Sequence, residues 1–288
     1  MKKKSSLTKR YFSVFFLVVG IVLLLICLFE IWMLVWGLVS SFKSRIDFIS
    51  NPAGFPKKWI WGYTSVFKKF VVPIGSKKIY LGELLFNSLF LSVSFATVQT
   101  IVPTFMAYVA AKYPFKFNKV INGIVWVVVT VPIIGSTGSS IQLSKFLGVY
   151  DNYFGQMLMK FSFQNSTYLV MLATLTSLST EYAEAAFMDG AGHFDVMIRI
   201  MLPMVLPTIS CLWLLSFIAH WNEYQSIMIY YPSRPTAAYG LFLFRTDTKN
   251  SIPMTLQACF IMIMPTLAIF IAFRNKIMGN FTIGGLKG

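Results

Sequence analysis

The 288-residue sequence contains few charged residues, few acids and few cysteines, and each scarcity excludes a class of protein. Charged residues make up 12% of the chain and apolar residues 56%, the reverse of the composition of a disordered chain. The three cysteines, Cys27, Cys211 and Cys259, are far apart in apolar stretches, so neither a disulfide framework nor a zinc site is expected. The composition therefore predicts a polytopic membrane protein rather than a soluble enzyme.

The sequence also lacks the motifs of nucleotide binding and of catalysis. Residues 279–285 have the first spacing of a P-loop, but Gly285 stands where the phosphate-binding lysine is required. The two histidines, His193 and His220, are isolated from any acid at a metal-ligand or catalytic spacing. Lys and Arg exceed Asp and Glu by 25 to 10, but 28 Phe and 15 Met in long uncharged runs argue against a nucleic-acid-binding protein.

Long apolar runs are what the sequence has in abundance. Each is long enough for a helix to cross roughly 30 Å of hydrocarbon. Because backbone hydrogen bonds must be satisfied within lipid and the runs do not alternate like strands, helices are favoured over a barrel. The chain is predicted to be all-α, with six transmembrane helices at residues 11–42, 84–111, 120–144, 155–178, 204–231 and 252–274. Four prolines fall within these spans and predict kinks, at Pro103, Pro132, Pro207 and Pro265.

The charges around the first span indicate its orientation. Five basic residues lie within residues 1–10, which favours a cytoplasmic N-terminus. The apolar run that follows is too long for a signal-peptide core, so an uncleaved first helix is expected. Residues 43–82 then form an external loop, which Asn51-Pro52 and the aromatic run at residues 59–63 suggest is folded at the membrane surface.

Residues 179–203, between the fourth and fifth spans, have the composition of two short helices joined by a turn. Ser179 or Thr180 can cap the first helix, and glutamate in its first turn suits the positive end of the helix dipole. Asp189-Gly190 is expected to end it. A second helix should run from about His193 to Leu202. The small side chains of Ala185, Ala186, Gly190 and Ala191 are expected to be exposed, so that a partner can approach closely; a solvated loop is the alternative.

Three motifs in this segment resemble the EAA loop of ABC-importer permeases. They are Glu184-Ala185-Ala186, Asp189-Gly190-Ala191 and Ile200-Met201-Leu202-Pro203. The resemblance extends from about residue 80 to the end and is greatest with the MalG-like permeases of carbohydrate importers, in Asn87-Ser88, Trp221-Asn222-Glu223-Tyr224 and residues 282–288. The sequence departs from the family at Ser179-Thr180, which replaces the proline that often opens the EAA helix.

The resemblance implies a location and a set of partners. Residues 83–288 would form the permease core in the bacterial cytoplasmic membrane, with both termini and the loop at 179–203 in the cytoplasm. The partners would be a second, homologous permease subunit, two ATP-binding cassette ATPases, an extracytoplasmic solute-binding protein, a carbohydrate substrate and membrane lipid. The chain would hold no cofactor and would not be an enzyme, since the ATPases bind ATP and Mg²⁺. The residues expected to couple to the ATPases are Glu181, Glu184, Ala185, Ala186, Asp189, Gly190, Ala191 and Gly192.

Two carboxylates are expected at membrane depth, where they cost free energy unless they pair or face water. They are Glu30 and Glu223, and each either lines a pathway or has a structural role. The residues predicted to line a pathway are Asn87, Trp221, Asn222, Glu223 and Glu30. His220 lies three residues before Glu223, and a hydrogen bond between their side chains is expected.

Three functions therefore remain open for the chain. The first is a carbohydrate permease, with uronate-containing oligosaccharides as one cargo because basic residues outnumber acidic ones on the predicted external side. Attraction of anionic lipid headgroups is the favoured explanation of that charge. The second is an ABC permease for a non-sugar solute, and the third is an ion-coupled secondary transporter that uses Glu30 and Glu223.

Overall fold

The computed structural model describes residues 4–113, 115–131 and 135–278. Pro132 and residues 279–288, which contain the P-loop-like segment and the C-terminal motif, lie outside these ranges. Helices make up most of the described residues, as predicted. The elements up to residue 130 are α1 (Lys4–Ser41), α2 (Arg45–Ser50), α3 (Tyr63–Lys69), β1 (Val71–Ile74), β2 (Lys77–Tyr80), α4 (Leu81–Lys112) and α5 (Asn118–Thr130).

The second half of the chain consists of shorter helices and one long one. They are α6 (Thr137–Phe146), α7 (Tyr153–Met159), α8 (Ser166–Ser177), α9 (Glu181–Met188), α10 (His193–Asp195), a π-helical turn (Val196–Met201), α11 (Leu202–Met204), α12 (Leu206–Asn222), α13 (Gln225–Tyr230), α14 (Ala237–Thr246) and α15 (Ile252–Met278).

Three described helices are long and apolar enough to cross a membrane. They comprise Val14–Ser41, Leu81–Lys112 and Ile252–Arg274. A fourth span results if His193–Met204 and Leu206–Asn222, which meet at a bend of 74°, are counted together. Pro207 lies in the first turn of α12, beside this bend, rather than inside a continuous helix. The stretches 120–144 and 155–178 are each divided between two shorter helices.

The chain forms two compact units, Met1–Lys69 with Phe244–Ile261, and Phe70–Leu243 with Met262–Gly288. In the first unit, the end of α1 is held by hydrogen bonds and aromatic contacts. The Gln257 amide donates to the carbonyl of Ser41, and the Ser41 hydroxyl lies 2.9 Å from the Tyr63 hydroxyl. The Phe42 ring lies 5.3 Å from Trp59 and 5.9 Å from Trp61. The segment predicted as a folded external loop is therefore folded.

A buried lysine stabilises the turn that follows α1. Lys43 is only 3% exposed, and its Nζ donates to the carbonyls of Asn51 at 2.8 Å and Pro52 at 3.0 Å. Two carbonyl acceptors offset the cost of removing the ammonium group from water. Asp47, also buried, accepts from the backbone N–H of Lys57 at 2.9 Å. These hydrogen bonds connect Lys43, before α2, and Asp47, within α2, to residues that follow the helix.

The second unit contains the exception to the all-α prediction, an antiparallel hairpin of β1 and β2 in which Val71 pairs with Tyr80. β-branched residues in β1 favour the strand, and Gly75 adopts the positive φ of 56° that a tight hairpin turn requires. The core of this unit is α4, which packs along α8 and α12. Trp213 of α12 donates to the Thr97 hydroxyl of α4 at 3.0 Å.

Candidate functional site

The segment 179–204 folds as a short helix, a turn and a second helical run. The Ser179 hydroxyl accepts from the backbone N–H of Glu181 at 3.2 Å, whereas Thr180 occupies the N-cap position without a side-chain bond. Of the two predicted caps, Ser179 is therefore the one used. Glu181 and Glu184 lie in the first turn of α9, where the helix dipole favours carboxylates.

The turn after α9 has the hydrogen bonds of a Schellman motif. Gly190 N–H donates to the Phe187 carbonyl and Ala191 N–H donates to the Ala186 carbonyl, both at 3.0 Å. Gly190 has a φ of 84°, a left-handed conformation that costs a residue with a Cβ roughly 1–2 kcal/mol. The prediction that Asp189-Gly190 ends the helix is confirmed.

The second helical run begins at His193, as predicted, and contains the π-helical turn Val196–Met201. Single π turns are frequent at functional sites. Arg199 and Asp195 form an exposed ion pair at 3.2 Å on this run. The second helical run therefore carries a charged pair on its exposed side.

The small residues of the segment divide between a buried and an exposed side. Ala186 is 7% exposed and belongs to the same core as Tyr108 of α4 and Met171 of α8, so the prediction that its side chain is exposed was wrong. A small residue is needed there because α9 packs onto this core. Ala191 is partly buried against it, whereas Ala185 and Gly190 are exposed.

Large apolar side chains, not small ones, dominate the exposed side. Met188 is 88% exposed, Phe194 70% and Tyr182 52%. The carboxylates of Glu181, Glu184 and Asp189 are also exposed. An exposed apolar group with polar residues around it is typical of a protein-interaction surface. We call these six residues the docking surface.

Residues at the end of α4 form hydrogen bonds at two points around the segment 179–204, just before α9 and at His193. Lys112 Nζ donates to the Leu178 carbonyl at 2.7 Å, just before α9. The Tyr113 hydroxyl lies 2.8 Å from Nδ1 of His193, at the start of the second helical run. The His193 ring also contacts the Phe187 ring, with centroids 4.8 Å apart. The docking surface is thus attached to a long helix of the core.

The second candidate site is a polar cavity of about 250 Å³. Its wall includes Lys160 at the end of α7, Glu223 between α12 and α13, and Tyr230 of α13. Ser144 and Gln156 are buried in the same wall. The Ser144 hydroxyl donates to Met159 Sδ, and the Gln156 amide donates to the Val149 carbonyl. The cavity combines hydrogen-bonding groups of both charges with aromatic rings, the composition of a site for a polar organic ligand.

The side chains of His220 and Glu223 each bond elsewhere, so the predicted bond between them is wrong. His220 Nε2 lies 3.0 Å from Gln99 Oε1; an amide oxygen only accepts, so Nε2 carries the proton. One Glu223 oxygen accepts from the backbone N–H of Ser226 at 3.0 Å, which satisfies an N-terminal donor of α13. One oxygen of Glu223 therefore stabilises the start of α13, and the other is available to a ligand in the cavity.

Tyr231 lines the cavity, and its ring packs against a second aromatic ring outside the lining. Tyr153 packs against Tyr231 with ring centroids 5.4 Å apart, and its hydroxyl donates to the Arg234 carbonyl at 3.1 Å. The Arg234 guanidinium also lies over the Tyr153 ring, 5.2 Å from its centroid. Tyr153 therefore links α7 to the residues that follow α13.

The other residues predicted to line a pathway lie outside this cavity. Asn87 donates to the Pro235 carbonyl at 3.1 Å, and the buried Trp221 donates to the Met262 carbonyl at 3.3 Å. Asn222 donates to the Ile218 carbonyl one turn before it at 2.9 Å. Glu30 is exposed on α1. In this structure the first three therefore make contacts within the fold.

Sequence reasoning missed Lys160, Gln156 and Ser144 because the cavity is formed by residues from five separate helices and the turns between them. Lys160 is the only basic residue within the apolar stretch 155–178. A single charged residue in a membrane-spanning segment is the sequence signal that could have identified it as a functional candidate.

Comparison with known proteins places the chain among membrane transport components. The sequence model of the family described as "Binding-protein-dependent transport system inner membrane component" matches residues 99–275. That range begins within α4 and includes the segment 179–204 and the residues Lys160 and Glu223 of the cavity.

Two relatives and one solved structure show the extent of the similarity. The chain is 27% identical over 206 residues to the arabinooligosaccharides transport system permease protein AraQ of Bacillus subtilis, covering 70% of this chain and 73% of AraQ. It is 25% identical to the trehalose/maltose transport system permease protein MalG of Thermococcus litoralis, covering 94% and 96%. A chain from a bacterial ABC transporter involved in the import of the acidic polysaccharide alginate has the same fold, with a TM-score of 0.71 at 20% identity, covering 91% and 96%.

Proposed function

This chain belongs to the family of binding-protein-dependent transport system inner membrane components, and on that premise we propose that it is a permease subunit that couples carbohydrate import to ATP hydrolysis in partner subunits. It is a multi-pass membrane transport protein of the sugar ABC permease type, not an enzyme. The observation that supports the coupling role best is the division of the segment 179–204 into a buried side, on the permease core, and an exposed docking surface.

The proposed mechanism transmits motion through the docking surface. Two ATP-binding cassette ATPases bind ATP and Mg²⁺ in the cytoplasm, and a cleft of one receives Met188 and Phe194. Because Ala186 and Val196 are buried in the core with Tyr108 and Met171, a movement of the docking surface displaces α4 and α8 as well. Close packing of the core transmits such a displacement instead of absorbing it. The pathway then alternates between outward and inward openings.

The proposed topology has six spans with both termini and the segment 179–203 in the cytoplasm. α1, α4 and α15 supply three spans. α12, continued by α13, supplies the fifth, and the pairs α5–α6 and α7–α8 supply the third and fourth. Residues 43–82 form the external loop, and residues 83–288 form the permease core. Cysteine labelling at Lys77 and at Asp189 tests this arrangement, since only the first is expected to react with an impermeant reagent added outside.

The proposed assembly contains a second, homologous permease subunit, two ATPases and an extracytoplasmic binding protein. The relatives AraQ and MalG are named as components of transport systems. A second solved structure with this fold is of a bacterial alginate ABC transporter in complex with an alginate pentasaccharide-bound periplasmic protein, with a TM-score of 0.60. Co-purification of a tagged chain with an ATPase and a distinct permease tests the heterodimeric assembly.

The proposed cargo is an oligosaccharide, because the relatives transport arabinooligosaccharides and trehalose or maltose. The basic external side, and the likeness to an importer of an acidic polysaccharide, support a uronate-containing oligosaccharide as one candidate. Uptake of maltotriose, arabinotriose and trigalacturonate by the reconstituted importer distinguishes neutral from acidic cargo. Uptake of a non-sugar solute alone would contradict the proposal.

ATP dependence separates this function from ion-coupled transport through Glu30 and Glu223. Uptake that stops with vanadate, and that requires the ATPase subunits, is the expected result. Uptake that persists without them and follows an ion gradient would assign the chain to the secondary transporters instead.

A further inference from the structure

Lys160 and Glu223 line the same cavity but do not form an ion pair with each other. Both side chains are half-buried. Within the part of the chain that the structure describes, the ammonium group of Lys160 has no hydrogen-bond acceptor. It lies 6.0 Å from the centroid of the Phe95 ring and is attracted electrostatically by Glu223. Glu223 uses one oxygen on the N–H of Ser226. A donor and an acceptor of opposite charge are therefore left facing one space.

A hydroxyl group is the ligand chemistry that satisfies both residues together. It accepts a hydrogen bond from an ammonium group and donates one to a carboxylate. A ligand carboxylate can only accept, so it would bond Lys160 while it repels Glu223. The charges of Lys160 and Glu223 already balance, so an anionic ligand would leave an uncompensated negative charge in a half-buried site, which costs free energy.

The remaining wall suits a sugar ring of limited size. The volume of about 250 Å³ lies just below the range of pockets for drug-sized ligands, which begins at ~300 Å³, so it holds about one ring rather than a chain. Ser140 and Gln156 add polar atoms, and Tyr230 and Phe95 add aromatic surface for the apolar face of a ring.

We propose that this cavity is a subsite for one neutral sugar ring of the cargo, in which Lys160 donates to, and Glu223 accepts from, the ring hydroxyls. This inference rests on the proposed carbohydrate permease function and adds to it the specificity of one site. It assigns Lys160 as a specificity-determining residue of this subunit. It is also distinct from the uronate hypothesis, which rests on the charge of the external side and not on this cavity.

Equilibrium binding to the whole importer in nanodiscs tests the proposal, with the binding protein left out so that its own affinity does not contribute. The probes are radiolabelled maltotriose and arabinotriose as neutral ligands and trigalacturonate as an acidic one. Lys160→Met is expected to weaken neutral binding by about ten-fold or more, because a hydrogen bond to a charged group is lost. Glu223→Gln is expected to weaken it less, since the amide still accepts.

Two further variants serve as controls. Lys160→Arg retains the charge and the donors and is expected to restore most of the binding, which separates a lost contact from misfolding. Lys77→Met removes an exposed lysine of the hairpin that does not line the cavity, and it is expected to bind like the wild type.

The outcomes that would overturn the subsite differ from those that would overturn the permease function. Neutral binding unchanged within two-fold in Lys160→Met, or absent from the wild type, would refute the subsite. So would tight trigalacturonate binding that Lys160→Met abolishes and Glu223→Gln improves. The permease function itself is tested separately, by ATP-driven uptake in the wild-type importer with its binding protein present.

Discussion

The Tyr113 hydroxyl lies 2.8 Å from Nδ1 of His193, and this bond joins the end of α4 to the start of the second helical run of the segment 179–204. The two residues are 80 positions apart in the sequence. Their rings also meet edge to face, with centroids 5.5 Å apart. The end of a long core helix is thus directly bonded to the segment that carries the docking surface.

Tyr113→Phe removes the hydroxyl and keeps the ring contact. Since the bond is exposed, its loss is expected to destabilise this junction by about 0.5–1.5 kcal/mol, without unfolding the chain. We expect less substrate imported per ATP hydrolysed in the reconstituted importer. Tyr80→Phe, at an exposed tyrosine of the hairpin, is the matched control. An unchanged ratio of uptake to ATP hydrolysis would show that the bond has no part in coupling.

Ala185 and Ala186 are neighbours in sequence with opposite environments, which gives a matched pair of substitutions. Ala186→Leu is expected to overfill the core around Tyr108 and to lower stability by about 1–3 kcal/mol, visible as a lower Tm in detergent. Ala185→Leu is expected to leave Tm unchanged and to reduce co-purification of the ATPase, because the exposed side is enlarged. If both variants affected Tm alone, Ala185 would not belong to an interface.

Gly190 has no atom within 4 Å of the place where a Cβ would stand, so a substitution there acts through the backbone. Gly190→Ala is expected to cost roughly 1–2 kcal/mol by opposing the left-handed conformation. Gly190→Arg adds bulk and charge at the docking surface, and we expect it to abolish uptake and uncouple ATP hydrolysis while membrane insertion is retained; deletion of residues 184–190 should do the same. Gly82→Ala, equally uncrowded at an ordinary φ, is the control. Normal uptake by Gly190→Arg would refute the coupling role.

Gly240 allows α14 to approach the hairpin and α4. A Cβ at this position would stand 2.7 Å from a Phe70 ring carbon, 3.1 Å from Leu84 and 3.2 Å from Val72. Gly240→Val is therefore expected to lower stability by about 1–3 kcal/mol through overpacking, measured as a drop in Tm in detergent. Gly123→Val, in a helix with open space around the glycine, should have a much smaller effect, and equal drops would contradict the packing argument.

The sequence predicts the long elements of this fold because their patterns are local. The predicted helix at 84–111 agrees with α4, since an apolar run of that length ends at Lys112. The stop at Gly190 was predictable because a glycine after a helix-forming run has one common conformation. The turn between α7 and α8 was not predicted, although Asn165 caps α8 through the backbone N–H of Tyr168 at 3.1 Å.

The candidate site was less predictable, because its geometry depends on contacts between distant residues. The identity of Ala186 suits both a close partner contact and burial, and only the position of α9 on the core decides between them. Glu223 was selected from its expected depth, but Lys160, which faces the same cavity, is brought there by the break between α7 and α8. The partner of His220 is Gln99 of α4, and no spacing within one helix reveals it.

The π-helical turn Val196–Met201 has a consequence for the orientation of everything that precedes it. A π turn holds one more residue than an α turn, and each residue of an α-helix advances the chain by about 100° around the axis. Loss of a single residue within this turn would return it to α-helical geometry while Phe194 keeps nearly its present direction, because the wider turn takes up the extra residue. The direction of Phe194 relative to α12 therefore tolerates the loss of one residue within this turn, whereas a loss elsewhere in the same helical run would rotate Phe194 by about 100°.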